Sequence, residues 1–88
     1  MHEKESQAEL TQKLAQAAKR VTVSARYVHY KQMSYEVLAL ALREEDNEPC
    51  VVYRAEYGDR LTWIRTVTDW LEEVEVDGRR TKRFTKIL

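Results

Sequence analysis

The chain contains few of the residues that cross-link or interrupt small proteins. Its 88 residues include one cysteine, one proline and two glycines. A lone cysteine, Cys50, excludes a disulfide within the chain and is typical of a reducing compartment. Two glycines form no phosphate-cradling loop, and the histidines and the cysteine lack metal-ligand spacing. The sequence therefore predicts no catalytic residue, no cofactor and no metal site.

Long apolar runs and net charge are also missing. The longest apolar run covers residues 37–42, whereas a membrane helix needs about 20 such residues. No basic start followed by an apolar stretch marks a signal peptide, so we expect a cytoplasmic protein without a membrane partner. The formal net charge is zero, which argues against a dedicated nucleic-acid binder, because such proteins gain most affinity from phosphate contacts.

The chain divides into two unlike parts. The first 26 residues contain no Phe, Trp, Tyr, Gly or Pro. Ser6 and Glu9 have the spacing of a helix capping box, and apolar residues follow at helical intervals. We predict an N-terminal helical extension over residues 1–24 and a separate domain over residues 25–88. An isolated helix of this length is marginal in water, so it docks either on its own domain or on a second copy. A monomer and a helix-mediated homodimer both stay open.

The second part has the pattern of short strands. Residues 50–55 and 61–66 are rich in β-branched and aromatic residues. Residues 35–43 give conflicting signals, because Ala and Leu favour a helix while Tyr and Val favour a strand. A spacing of about ten residues between turns favours a strand there. Residues 68–72 form one predicted helical turn, with Thr68 as its N-cap and Trp70 in the core.

A hairpin is the clearest local prediction. Asp77-Gly78 between alternating residues predicts a two-residue type I′ turn. That register places Glu75 opposite Arg80 and Glu73 opposite Lys82. We therefore expect acids and bases to pair across the hairpin, as the alternative to a basic binding strip.

The ordered aromatic residues resemble those of the bacterial domain-of-unknown-function family 1653. The resemblance covers roughly residues 25–88 and rests on these segments: Tyr27-x-His29-Tyr30-Lys31, Tyr35-x-Val37-Leu38, Val52-Tyr53-x-Ala55-x-Tyr57-Gly58, Trp63-x-Arg65, Leu71-Glu72-x-Val74-x-Val76-Asp77-Gly78 and Arg83-Phe84. It implies a mainly β fold, an SH3-like small antiparallel β-barrel, and it implies no activity. The predicted N-terminal α-helix lies outside the resemblance and precedes this barrel. Two positions depart from the family pattern: Ala25, where many members carry Gly, and Thr66, where many carry Pro.

Five residues are candidates for a ligand-binding site. His29 and Lys31 alternate along a predicted strand, and a local hydrogen bond of His29 on a solvated edge strand is the alternative. Trp63 and Arg65 share a second face, flanked by Tyr57, where an arginine beside an aromatic ring grips a carboxylate or phosphate. The alternative is a core Trp63 with Arg65 tied to an acid. The remaining expectations are a buried Cys50 thiol and a core containing Tyr30, Tyr35 and Phe84.

The favoured hypothesis is a non-catalytic binding module whose aromatic and arginine face takes a peptide, a protein partner or another extended ligand. One alternative is a nucleic-acid-binding accessory protein, in which bases stack on the same aromatics and a run of cations follows the phosphates. Those cations are Arg79, Arg80, Lys82, Arg83 and Lys86. The other is a small anionic-ligand sensor or an enzyme that holds an anion with His29, Lys31 and Arg65.

Overall fold

A computed structural model describes residues 5–88 as two helices and seven strands. The helices are α1 (Gln7–Ala18) and α2 (Val67–Leu71). The strands are β1 (Arg26–His29), β2 (Ser34–Arg43), β3 (Glu48–Ala55), β4 (Thr62–Thr66), β5 (Glu73–Val76), β6 (Arg79–Lys82) and β7 (Phe84–Lys86). Five strands form one antiparallel sheet in the order β4-β3-β2-β1-β7, and β5 and β6 form a separate hairpin.

The N-terminal helix forms as its sequence predicts. The Ser6 hydroxyl accepts a hydrogen bond from the Glu9 amide, and the Glu9 carboxylate accepts one from the Ser6 amide, so both halves of the capping box are present. Helix α1 packs against β2 and β3 of its own chain. The first four residues of the predicted extension lie outside the described residues.

Residues 35–43 lie in strand β2, so the prediction of a strand is confirmed and the helix that their Ala and Leu residues favour does not form. It pairs with β3 from Tyr35 opposite Ala55 to Arg43 opposite Glu48. The register shifts between Val37 and Ala39, which marks a β-bulge. Along residues 39–43 strand β2 pairs with β3, and this pairing outweighs the helix propensity of the Ala and Leu residues there, because propensity is a weak prior.

The mainly β fold with an N-terminal helix is confirmed, whereas the closed barrel is not. In residues 5–88, β4 and β7 each pair with one neighbouring strand and not with each other. The sheet therefore stays open, with β4 as an edge.

The core lies on one face of the sheet under helix α2. Trp70, at 2% exposure, stacks on Phe84 with ring centres 3.7 Å apart and planes inclined by 4°. The rings of Tyr27 and Tyr53 meet Trp70 edge-on at 5.3 and 4.9 Å. The other buried members of this cluster are Val21, Ala25, Tyr35, Val37, Val51 and Ala55. Tyr35 and Phe84 are thus core residues as predicted, while Tyr30 is half-buried.

The hairpin has the predicted register, from Glu73 opposite Lys82 to the pair flanking the turn. Asp77 and Gly78 have φ angles of 52° and 79°, as a type I′ turn requires. The ion pairing differs from the prediction, because the Arg80 guanidinium donates diagonally to Glu73 at 2.9 Å. Lys82, directly opposite Glu73, therefore forms no ion pair within the described part of the chain.

Helix α2 begins two residues earlier than predicted, and Thr68 as its N-cap is wrong. The Thr66 hydroxyl accepts from the Asp69 amide at 3.1 Å, so Thr66 is the N-cap. Thr66 is also the position where the resemblance expected Pro. A threonine there accepts a hydrogen bond from a free amide of the first turn. Proline has no side-chain acceptor and cannot do this.

We expect Thr66→Ala to lower the free energy of unfolding by about 1 kcal/mol, because it leaves the Asp69 amide without its cap. Thr66→Ser, which keeps the hydroxyl, should restore most of that loss. Thr68→Ala is the matched control and should stay within about 0.5 kcal/mol of wild type. Urea denaturation of the three variants measures this, and equal losses for the two alanine variants would contradict it.

Candidate functional site

Trp63 and Arg65 extend the core face of the sheet to its open edge. Trp63 lies opposite Tyr53, and Arg65 lies opposite Val51. Directly opposite residues in an antiparallel pair project from the same face. Both partners on β3 are buried, so the face that carries the core continues onto β4. Trp63 itself is 50% exposed, which excludes the alternative of a core tryptophan.

The edge of the sheet is unusually apolar. Tyr57 and Leu61, in the connection before β4, are 47% and 56% exposed, and Ile64, on the other face of β4, is 61% exposed. Clustered exposed apolar side chains commonly mark an interaction surface. Sequence reasoning missed Leu61 and Ile64, because an apolar residue in a short strand looks the same whether it is buried or at a free edge.

Arg65 lacks the partners that a half-buried charge normally has. Within residues 5–88 its guanidinium forms no ion pair, and its Nε is buried without a hydrogen-bond partner. The guanidinium carbon lies 5.6 Å from the centre of the Phe84 ring, within the range of a cation–π contact. The alternative in which an acid from a loop neutralises Arg65 is therefore absent from the described structure.

Two tyrosines connect this edge to the core. The Tyr57 and Tyr35 hydroxyls are 2.9 Å apart, and their rings meet edge-on at 5.7 Å. Burial, and then the hydrogen bond to Tyr57, raise the pKa of Tyr35, so its hydroxyl is protonated at neutral pH. Tyr57 is thereby held in place while almost half of it remains exposed. We call Tyr57, Trp63 and Arg65 the aromatic–arginine face.

His29 and Lys31 do not form a shared strand face. His29 is buried in β1, which is paired on both sides, and it packs edge-on against Phe84 at 4.9 Å. Lys31 lies exposed in the turn after β1, and its amide donates to His29 Nδ1 at 3.1 Å. His29 and Arg65 both contact the Phe84 ring. The Lys31 ammonium instead lies 5.8 Å from the centre of the Tyr30 ring.

Catalytic and metal chemistry find little support in the described residues. Cys50 is buried, as predicted, and burial raises the pKa of its thiol, which keeps the thiolate scarce at neutral pH. Residues 5–88 contain no group of three or more His, Cys, Asp or Glu that could hold a metal ion. No helix in the same residues is long and apolar enough to cross a membrane.

The fold is that of a small, mainly antiparallel β protein with helices packed on its sheet. The family model described as "Protein of unknown function (DUF1653)" matches residues 25–86. The chain belongs to this family, as its aromatic pattern predicted. A crystal structure of a DUF1653 protein from Bordetella bronchiseptica matches with a TM-score of 0.69 and 28% identity, over 77% of this chain and 90% of that one. No curated protein matches.

The buried His29 predicts a pH dependence of stability. Burial, followed by the charges of Arg65, Arg83 and Lys31, lowers the pKa of His29 below its usual 6.5. The unfolded chain then binds a proton at higher pH than the folded chain, so His29 removes stability as the pH falls through about 6.5. We expect wild type to lose more stability than His29→Asn between about pH 7.5 and pH 5.5.

Urea denaturation at the two pH values measures this difference, and comparison with the variant cancels the carboxylates that both proteins share. Asparagine keeps an acceptor near the position of Nδ1, so the Lys31 amide retains a partner. Parallel losses in the two proteins would contradict the assignment.

The unpaired Arg65 predicts a stabilising substitution. Arg65→Met keeps the apolar stem of the side chain but removes the half-buried guanidinium, which has no counter-ion within residues 5–88. We expect the free energy of unfolding to rise by about 1 kcal/mol, because an unsatisfied buried polar group costs about 1–3 kcal/mol. Arg54→Met, which breaks the ion pair with Glu36 at 3.1 Å, is the control and should not stabilise. A clear loss of stability in Arg65→Met would show that Arg65 is structural.

Proposed function

We propose that the protein is a non-catalytic binding module that takes an extended peptide as an added strand on β4. In this proposal an acidic group of the peptide pairs with Arg65. The observation that carries the proposal is the Arg65 guanidinium, half-buried at an open apolar edge without an ionic partner in residues 5–88.

The backbone of β4 supports strand addition. In the described residues β4 pairs only with β3, so its other edge presents unpaired amide and carbonyl groups. Such an edge is a template for another strand, and peptide-binding domains use it for main-chain hydrogen bonds. Leu61, Trp63 and Ile64 along this stretch are also apolar, which favours a partner with alternating apolar side chains.

The side chains of the aromatic–arginine face would supply specificity. Alternate residues of an added strand face the same side as Trp63 and Arg65. Trp63 offers an apolar ring for one such residue, and Arg65 offers a forked donor for a carboxylate at the next. A carboxylate there would replace the missing counter-ion beside Phe84, where a low local dielectric strengthens the pair. The proposed partner is therefore an acidic, apolar extended segment.

The edge has a competing explanation. Proteins protect free edges from aggregation with charged residues that point inward, and Arg65 has that position. The two explanations differ in the binding of an acidic peptide, because a purely protective charge gives no preference for acidic partners.

Two other expectations stay predictions: the SH3-like architecture and the cytoplasmic location.

A displayed peptide library tests the proposal. We expect wild type to enrich extended peptides that alternate apolar and acidic residues. For an enriched peptide, Trp63→Ala and Arg65→Met should each weaken binding by about tenfold or more, as the loss of a hot-spot contact does. Binding is followed by the fluorescence anisotropy of a dye-labelled peptide, because this signal does not depend on Trp63 and serves every variant.

Arg60→Gln is the matched control, since Arg60 is an exposed cation in the turn before β4, and it should bind within about twofold of wild type. Enrichment of peptides without acidic residues, or binding unaffected by Arg65→Met, would refute the proposal. An oligonucleotide that binds in place of peptides, with affinity falling steeply as salt rises, would favour the nucleic-acid alternative.

A further inference from the structure

A second site lies away from the aromatic–arginine face. A cavity of about 340 Å³ opens between the end of α1, helix α2, the hairpin and β7. Tyr27, Trp70 and Phe84 line it, together with the cations Arg20, Lys82 and Lys86. We call it the basic cavity. No residue of the aromatic–arginine face is among those that line it.

The three cations come from separate parts of the chain. Arg20 follows α1, where its amide donates to the Ala17 carbonyl at 2.9 Å. Lys82 ends β6, and Lys86 ends β7 opposite Tyr27. Folding brings them to one cavity, although the chain as a whole has no net charge. Positive charge is therefore concentrated here by the fold rather than by composition.

The cations of the basic cavity have no ion-pair partner among the described residues. Within residues 5–88, Arg20, Lys82 and Lys86 form no ion pair. The cavity contains one carboxylate, that of Glu73, which is already paired with Arg80 at 2.9 Å. This diagonal pair explains why Lys82 is available, although Lys82 lies directly opposite Glu73.

The walls strengthen the attraction for an anion. Tyr27, Trp70 and Phe84 are each at most 5% exposed, so the floor is a packed aromatic layer with a low dielectric. Electrostatic interactions near such a surface are stronger than in open water. Thr22 adds a hydroxyl, which accepts from the Lys86 ammonium at 3.4 Å, and this contact holds Lys86 beside the cavity.

We infer that the basic cavity binds a small phosphorylated molecule, with Arg20, Lys82 and Lys86 as its phosphate contacts. A phosphate dianion suits three cations that line one cavity better than a single carboxylate does, because it carries more charge and its oxygens can accept from a guanidinium fork and from ammonium groups. The volume lies at the lower end of the range for small-molecule sites. It fits a sugar phosphate or a mononucleotide better than a polymer.

Titrations with inorganic phosphate and with ribose 5-phosphate test the inference, at an ionic strength kept constant with chloride. We expect saturable binding, tighter for ribose 5-phosphate, that raises the melting temperature. Amide chemical shifts should change around residues 20–22 and 82–86. Arg20→Gln, Lys82→Gln and Lys86→Gln should each weaken binding by about tenfold, the effect of losing one charge-assisted hydrogen bond.

Lys19→Gln is the matched control. Lys19 directly precedes Arg20 and carries the same charge, but its side chain is exposed and does not line the cavity. It should leave binding within about twofold of wild type. Equal weakening by Lys19→Gln, or no saturable binding of either probe, would overturn the inference. Tight binding of an oligonucleotide that also depends on Arg79 would overturn it in favour of a nucleic-acid surface. Circular dichroism of each variant checks that the fold is retained.

Discussion

The stack of Trp70 on Phe84 is the contact on which the rest of the structure depends. It joins α2 to β7, two elements that share no backbone pairing. Tyr27 and Tyr53 then meet the edges of the stack from β1 and β3. A chain of this size buries a small core, and four large rings supply much of its apolar area. The short helix α2, at five residues, is held by this packing rather than by its own propensity.

The same stack separates the two candidate sites. The guanidinium of Arg65 and the ring of His29 both contact Phe84, whereas the basic cavity has Trp70 and Phe84 as its floor. Each site thus places cations against one packed aromatic layer, which excludes water and offers no counter-charge. This arrangement leaves positive charge unpaired in a chain with no net charge.

Sequence patterns predicted those parts of the fold that depend on neighbouring residues. The capping box at Ser6, the Asp77-Gly78 turn and the hairpin register all follow from local geometry. Predicting the strand over residues 35–43 also required the spacing of the turns, because the Ala and Leu residues there favour a helix by propensity. The N-cap at Thr66 was missed, since it depends on where β4 ends and α2 begins in three dimensions. The closed barrel stays unconfirmed, because β4 and β7 do not pair within residues 5–88.

The sites were less predictable for the same reason. The alternation of Trp63 and Arg65 is visible in the sequence, but the absence of a carboxylate near Arg65 depends on long-range packing. For the hairpin, register alone predicts that Glu73 neutralises Lys82. Diagonal neighbours lie within reach of a long side chain, and Arg80 pairs with the diagonal Glu73, so Lys82 has no ion-pair partner within residues 5–88 and is available to the basic cavity. Side-chain reach, which the strand register does not specify, therefore decides which cations of the hairpin are structural and which are free to meet a ligand.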